Sequence, residues 1–306
     1  MPPTGTGDHG SPHLGLAEDG PAAVRARTER SWNGFLAVAQ SADLQAPSRL
    51  PGWRGHDVCA HLGAWEGGGV SSVIASARGE QTADTTNNDA VVRRHAGASR
   101  TQVLDALRRN RDQLLDWLGT DEARELGRVT VQSPIGPLPL LTATNASSYE
   151  LAVHALDLEP CGAAAPDPEL LRNGLGAVLD VTGHLAHERG LEISVTATSP
   201  AGGWRVRTDR QGWWVEPAAE LTGTGVRAEL RDLVDATAGR VSVPLLLATR
   251  RMTAHDLAGF LRLAALVEDL PGLPGGAALT AASRTLGGVE RAVRGLGGLL
   301  GRRFGR

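Results

Sequence analysis

Glu150 and His154 stand four residues apart in Ser147-Ser148-Tyr149-Glu150-Leu151-Ala152-Val153-His154-Ala155-Leu156-Asp157-Leu158, a stretch whose apolar spacing reads as an amphipathic helix. Side chains at i and i+4 of a helix leave on one face with Cβ atoms about 5 to 6 Å apart, which suits one metal ion. The same pair would also serve as a plain contact on a helix surface. A third ligand would decide between the two, and the candidate is His61, in the earlier apolar run Val58-Cys59-Ala60-His61-Leu62. Two imidazoles and a carboxylate with a coordination position left open are the ligand set of a catalytic rather than a structural zinc site. The competing reading makes His61 and His154 core histidines and bonds Glu150 to a nearby arginine.

The composition narrows the setting. A chain of 306 residues is long enough for two units, each with a core. A net charge of -3 gives no global attraction to nucleic acid or to a membrane surface, and no stretch offers the roughly 20 apolar residues of a bilayer span. All 31 basic residues are arginine, as a GC-rich bacterial genome would encode. With only Cys59 and Cys161, there is no disulfide framework and no Cys/His zinc motif, so an intracellular, cytoplasmic protein is expected. Residues 1–20 lack the basic and apolar regions of a signal peptide and read as a disordered tail in which His9 and His13 are incidental.

Periodicity sets out the helices that carry the three candidate ligands. Pro21 suits a first helical turn, and Val24, Thr28, Trp32, Phe35 and Ala39 then form one buried stripe. The two prolines and the glycine of Ala46 to Gly52 end that run. A second helix starts near His56 or Asp57 and turns Val58, His61, Leu62 and Trp65 inward. Cys59 lies about 200° around the helix from His61, out of reach as a co-ligand. A third helix follows Ser99, with Val103, Leu107, Leu114 and Leu118 inside, and 121–139 reads as a long ordered loop into the helix of Glu150 and His154. Four such helices make a bundle, the architecture that builds metal sites from facing side chains.

Beyond a small-residue linker at 162–168 the pattern changes. A helix over about 169–188 precedes strict alternation in Leu191 to Thr198, a second alternation around Trp204 and Val206, a strand over Trp213 to Glu216, and a candidate strand at Glu220 to Thr222. Val226, Leu230, Leu233 and Val234 read as one helix face ending at Gly239, and further helices are expected near 242–248 and 254–267. The fold class is therefore α+β, a helical bundle over 21–162 beside a smaller α+β unit over 169–270. The Gly- and Arg-rich segment 271–306 reads as a mobile tail, with a basic amphipathic helix around Val289, Val293 and Leu296 as the alternative.

Two motifs carry a family resemblance. Leu50-Pro51-Gly52-Trp53 followed by Asp57-Val58-Cys59-Ala60-His61-Leu62, and then Glu150-Leu151-Ala152-Val153-His154-Ala155-Leu156-Asp157-Leu158, resemble the mycothiol-dependent maleylpyruvate isomerase-like proteins, part of the DinB-like superfamily of metal-binding four-helix bundles. The resemblance runs from about Pro21 to Leu270, and its second half is similar to sterol-carrier-like folds. It implies His61, Glu150 and His154 as ligands of a divalent metal, Zn2+ first among them, and mycothiol as cosubstrate. A free thiol has a pKa near 8.5, and coordination to a dication deprotonates it without help from a protein cysteine. The thiolate would then attack an electrophilic small molecule, either giving a stable S-conjugate (a transferase) or adding reversibly to a cis double bond that rotates and re-forms trans (an isomerase).

The resemblance also places an anion-binding arginine at Arg93 or Arg94, where a bidentate contact could hold a substrate carboxylate; solvated surface charge is the alternative. Trp53 and Trp65 read as pocket wall or core, Asp157 as a partner that orients a ligand, and His184 with His187 as a pair lacking further ligands. Pro160 after Glu159, and Arg54-Gly55-His56 at a helix entry where the family commonly has a hydroxyl, depart from the family pattern. These departures point away from maleylpyruvate and toward a specialised conjugation step. In a third, non-catalytic reading the metal staples the bundle and the second unit binds an apolar ligand or a partner through Trp204, Trp213 and Trp214.

Overall fold

The structure is a computed structural model and describes residues 12–65, 69–80, 88–133 and 136–256. In chain order, the first half holds strand β1 (His13–Leu14) and helices α1 (Gly20–Ser41), α2 (Gly55–Leu62), α3 (Val70–Ala77), α4 (Asn88–Arg94), α5 (Arg100–Leu118) and α6 (Asp121–Leu126). Strands β2 (Thr130–Ser133) and β3 (Gly136–Pro139) follow, then α7 (Leu140–Asp157). The second half runs α8 (Pro168–Glu188), β4 (Ser194–Ser199), β5 (Gly202–Asp209), β6 (Gly212–Ala218), β7 (Gly225–Ala228), α9 (Leu230–Thr237), α10 (Val243–Ala248) and β8 (Met252–His255). The α+β class expected from the sequence is what the chain adopts, with helices first and a sheet after them.

Local chemistry sets the helix ends that matter. Ser99 accepts from the Gln102 backbone N–H, and the Gln102 side chain accepts from the Ser99 N–H, a capping box that starts α5. At the entry to α2, where Arg54-Gly55-His56 lacks a hydroxyl, the Asp57 carboxylate accepts the Arg54 N–H at 2.8 Å and does the capping from inside the first turn. The backbone approaches closely at Gly55, where a Cβ would stand 3.0 Å from Cys161 Sγ and 3.3 Å from the Asp43 carbonyl and would push its neighbours outward.

α7 is buried along nearly its whole length, packed between α1 and α8. Its contact with α8 is close enough that a Cβ on Gly174 would come within 2.4 Å of the Ala152 methyl. The opposite side of α8 lies on the sheet, whose order is β1-β6-β5-β4-β7-β8, with β1 parallel to β6 and β4 parallel to β7. One continuous apolar core therefore runs from Trp32 and Phe35 through α7 and α8 to Trp204, Val206 and Trp213.

Several expectations need correcting. The disordered tail does not reach residue 20: His13 pairs with Gly212 in the sheet, its Nδ1 bonds the Trp213 carbonyl at 2.8 Å, and the fully buried Asp180 accepts the Leu16 N–H and the Trp213 indole N–H. In place of a long loop over 121–139 the chain forms α6, capped by Thr120, and the antiparallel pair β2–β3. Glu220 to Thr222 is not a strand; the strand is β7, where Val226 and Ala228 are buried and Arg227 exposed, so Val226 does not belong to the helix that starts at Leu230. Met252–His255 is likewise a strand where a helix was expected to begin, and the remainder of 254–267 lies outside the described residues, as do 1–11 and the tail 271–306.

Candidate metal centre

His61 leaves the last turn of α2, and Glu150 and His154 leave successive turns of α7. The fold brings the three together. One ligand atom from each lies within 4.8 Å of the other two, with Glu150 Oε2 3.4 Å from His154 Nε2 and 4.0 Å from His61 Nε2. Coordination lengths of about 2.0 to 2.2 Å place tetrahedral ligand atoms about 3.3 to 3.6 Å apart, so the carboxylate and imidazoles stand at nearly the separations a shared cation needs. Among the described residues this is the one cluster of three His, Cys, Asp or Glu side chains close enough to do so. The Glu150 side chain is 47 % exposed while those of His61 and His154 are 16 % and 9 % exposed, so the cluster is open on the carboxylate side.

Behind His154 stands a chain of two further side chains. His154 Nδ1 bonds Asp157 Oδ2 at 3.0 Å, and Asp157 is fully buried. Arg240, from the segment after α9, donates Nε and Nη2 to the two Asp157 oxygens at 3.1 and 3.0 Å. With its Nδ1–H given to Asp157, His154 keeps Nε2 for the shared site, the orientation that outer partners impose on ligating histidines. Asp157 was legible as a helix neighbour of His154; Arg240, 83 residues further on, left no signal in sequence spacing.

The other candidates fall elsewhere. Arg94 and Arg93 are exposed at the end of α4, and no bond among the described residues connects Arg94 to the three side chains; Arg240 is the arginine at the cluster. Trp53 packs edge-on to His61 with ring centroids 5.8 Å apart, whereas Trp65 stacks on His95 and donates its indole N–H to the Ala60 carbonyl. His184 and His187 bond the carbonyls of Pro137 and Asp209, and among the described residues they share no further metal-ligating side chain. Burial pushes the Cys59 thiol up to about 12 and raises Cys161, so neither is a ready nucleophile.

Electrostatics inside the cluster are strongly coupled. Burial disfavours a charged His154, but hydrogen bonds to Asp157 and Glu150 outweigh it and raise the imidazole to about 9. Desolvation against the two packed helices opposes the Glu150 charge even though one side of the carboxylate meets solvent, and the two imidazoles overcome it, holding the carboxyl well below the usual range. Without metal, the His154 contribution to stability is complete below its unfolded pKa of about 6.5 and is lost as pH rises through about 9. The melting temperature of metal-free protein should therefore fall across that interval, and His154→Ala should flatten the slope. An unaltered slope in that variant would place the titrating group elsewhere.

Residues 24–159, which contain all three candidate ligands, match the family model described as the mycothiol maleylpyruvate isomerase N-terminal domain. No curated protein matches the chain. Among solved structures, the crystal structure of the mycothiol-dependent maleylpyruvate isomerase has a TM-score of 0.50 at 16 % identity, over 74 % of this chain and 92 % of that one. A mutant of that enzyme with a histidine replaced by alanine gives 0.51 at 15 % identity, over 78 % and 95 %. At these identities the likeness speaks for the fold alone, a fold shared across both halves of the chain. The match over residues 24–159 agrees with the family resemblance carried by the two sequence motifs and places all three candidate ligands inside the matched domain.

Proposed function

We propose that this protein is a metal-dependent enzyme that takes mycothiol, or a closely similar low-molecular-weight thiol, as nucleophile and adds it to an electrophilic small molecule. The observation that carries this reading is the convergence of His61, Glu150 and His154 in a chain whose own two thiols are buried. That donor set, two imidazoles and a carboxylate, fits a divalent cation, zinc above the others. Held there, such a cation would supply the Lewis acidity that leaves a thiol deprotonated at neutral pH.

The chain's own residues do the positioning. Asp157, held by Arg240, fixes the His154 ring, and the exposed side of Glu150 leaves an approach for thiol and electrophile. In the transferase reading the thiolate sulfur forms a C–S bond while the epoxide C–O bond breaks, the carbon–halogen bond breaks with release of the halide anion, or the enone double bond becomes an enolate; the attached alkoxide or enolate then takes a proton from solvent. The family name favours a second reading, cis–trans isomerisation of maleylpyruvate, in which the thiol adds, the former double bond rotates, and the thiol is expelled. The transferase is placed first because the chain departs from the family pattern directly after the ligand helix, where Glu159-Pro160-Cys161 forms a tight turn and Glu159 pairs with Arg231.

Zinc-loaded protein given mycothiol and a panel of electrophiles, maleylpyruvate included, separates these readings by mass spectrometry and by absorbance of fumarylpyruvate. An S-conjugate that needs both thiol and metal is expected. Accumulation of fumarylpyruvate alone would select the isomerase, and metal binding without thiol binding or turnover would leave the cation as a staple of the bundle.

A further inference from the structure

The two imidazoles of the cluster are held in different ways. His154 has a buried carboxylate partner backed by an arginine. His61 has no such partner among the described residues: its ion pair is with Glu150 at 4.0 Å, and its ring contacts are with His154 and, in a T-shaped arrangement, Trp53. It also sits in the last turn of α2, where Gly63 already leaves the helix with extended backbone. Ligating histidines ordinarily need an outer partner to fix their orientation. For His61, the group in that place is an indole.

We propose that Trp53 is the positioning residue of His61, holding the imidazole toward Glu150 and His154 by ring packing where Asp157 holds its counterpart by hydrogen bonding. The proposal rests on the reading of the three side chains as a metal centre. The indole is half-buried and meets the imidazole at 5.8 Å between centroids with an interplanar angle of 62°, an edge-to-face contact that restricts ring rotation.

A packing contact positions its neighbour only if it is itself fixed, and the loop bearing Trp53 is tied at several points. Ser48 N–H donates to the Trp53 carbonyl at 2.9 Å and Trp53 N–H to the Leu50 carbonyl at 3.0 Å. Arg49 N–H donates to the carbonyl of Asp157 at 2.9 Å, which joins the loop to the end of the ligand helix. The Arg49 guanidinium makes a two-point contact with Asp235 on α9, at 2.9 and 3.1 Å. The loop that carries Trp53 is thus referenced to the same α7 terminus that carries His154, so the two imidazoles share one support.

Cobalt(II) titration of the full chain, followed by visible absorption, tests this without any turnover assay. Trp53→Leu, which keeps apolar bulk but no ring, should weaken cobalt binding about 10- to 100-fold, the usual loss when an orienting partner goes, and should alter the absorption bands. Trp53→Phe, which keeps a ring, should stay within about threefold of the unmodified protein. In a His61→Ala background, Trp53→Leu should cost nothing further. Equal affinity and spectra for Trp53→Leu, an equal loss in the His61→Ala background, or a loss in Trp53→Phe as large as in Trp53→Leu would each overturn the proposal. If the unmodified protein takes up no cobalt, the metal-centre reading itself falls; if it does and only the variants disagree, Trp53 alone is misassigned.

Discussion

His61→Ala, Glu150→Gln and His154→Ala should each lower zinc affinity by more than the roughly 10- to 100-fold that loss of an orienting partner costs, and should each abolish thiol-dependent turnover. The three donors stand close enough to share one cation, and removing any of them leaves only two protein ligands. The fold should tolerate the changes at His61 and Glu150, whose side chains are 16 % and 47 % exposed. Isothermal titration with zinc, alongside circular dichroism, separates loss of the site from loss of the fold. Wild-type affinity in two of the three variants would mean that the cluster is an ordinary hydrogen-bonded group on two packed helices.

Asp157→Ala is expected to damage both stability and metal binding. It leaves the Arg240 guanidinium without its carboxylate and His154 Nδ1 without its acceptor, around a position that is fully buried. Breaking a buried pair by deleting one partner costs about 3 to 5 kcal/mol. The 29 % exposure of the Arg240 side chain lets water recover part of that, so the lower end is expected, about 3 kcal/mol. Zinc affinity should fall about 10- to 100-fold beyond any effect of unfolding. Asp157→Asn, which keeps the volume and one acceptor oxygen, should lose less of both. Urea denaturation of the metal-free variants and zinc titration at low urea measure the two effects separately, and an Asp157→Ala protein with unchanged stability would contradict the role given to Arg240.

Much of the centre was legible in the sequence because helical periodicity is a local signal. Glu150 and His154 fall on one face by their spacing, Asp157 follows one turn later, and the apolar run around His61 marks a helix facing the same core. What lies far apart in the chain was not legible. Arg240 reaches Asp157 across 83 residues and Arg49 reaches Asp235 across 186, and no periodicity links such positions.

Short strands escaped for a related reason. The two residues of β1 are too few to alternate, and Val226, Leu230, Leu233 and Val234 happen to carry helical spacing although Val226 belongs to β7. The prolines over 134–139 read as loop signals, yet Pro137 and Pro139 sit in β3 of a two-stranded sheet, an edge position where a missing N–H is tolerated.

X-ray absorption at the zinc edge of the loaded full chain, recorded before and after addition of mycothiol, reads whether metal and thiol meet at His61, Glu150 and His154. Two imidazole nitrogens and carboxylate oxygen are expected first, with a sulfur neighbour at about 2.3 Å appearing only when the thiol is present. A shell without imidazole, or one that gains no sulfur at saturating thiol, would contradict the account.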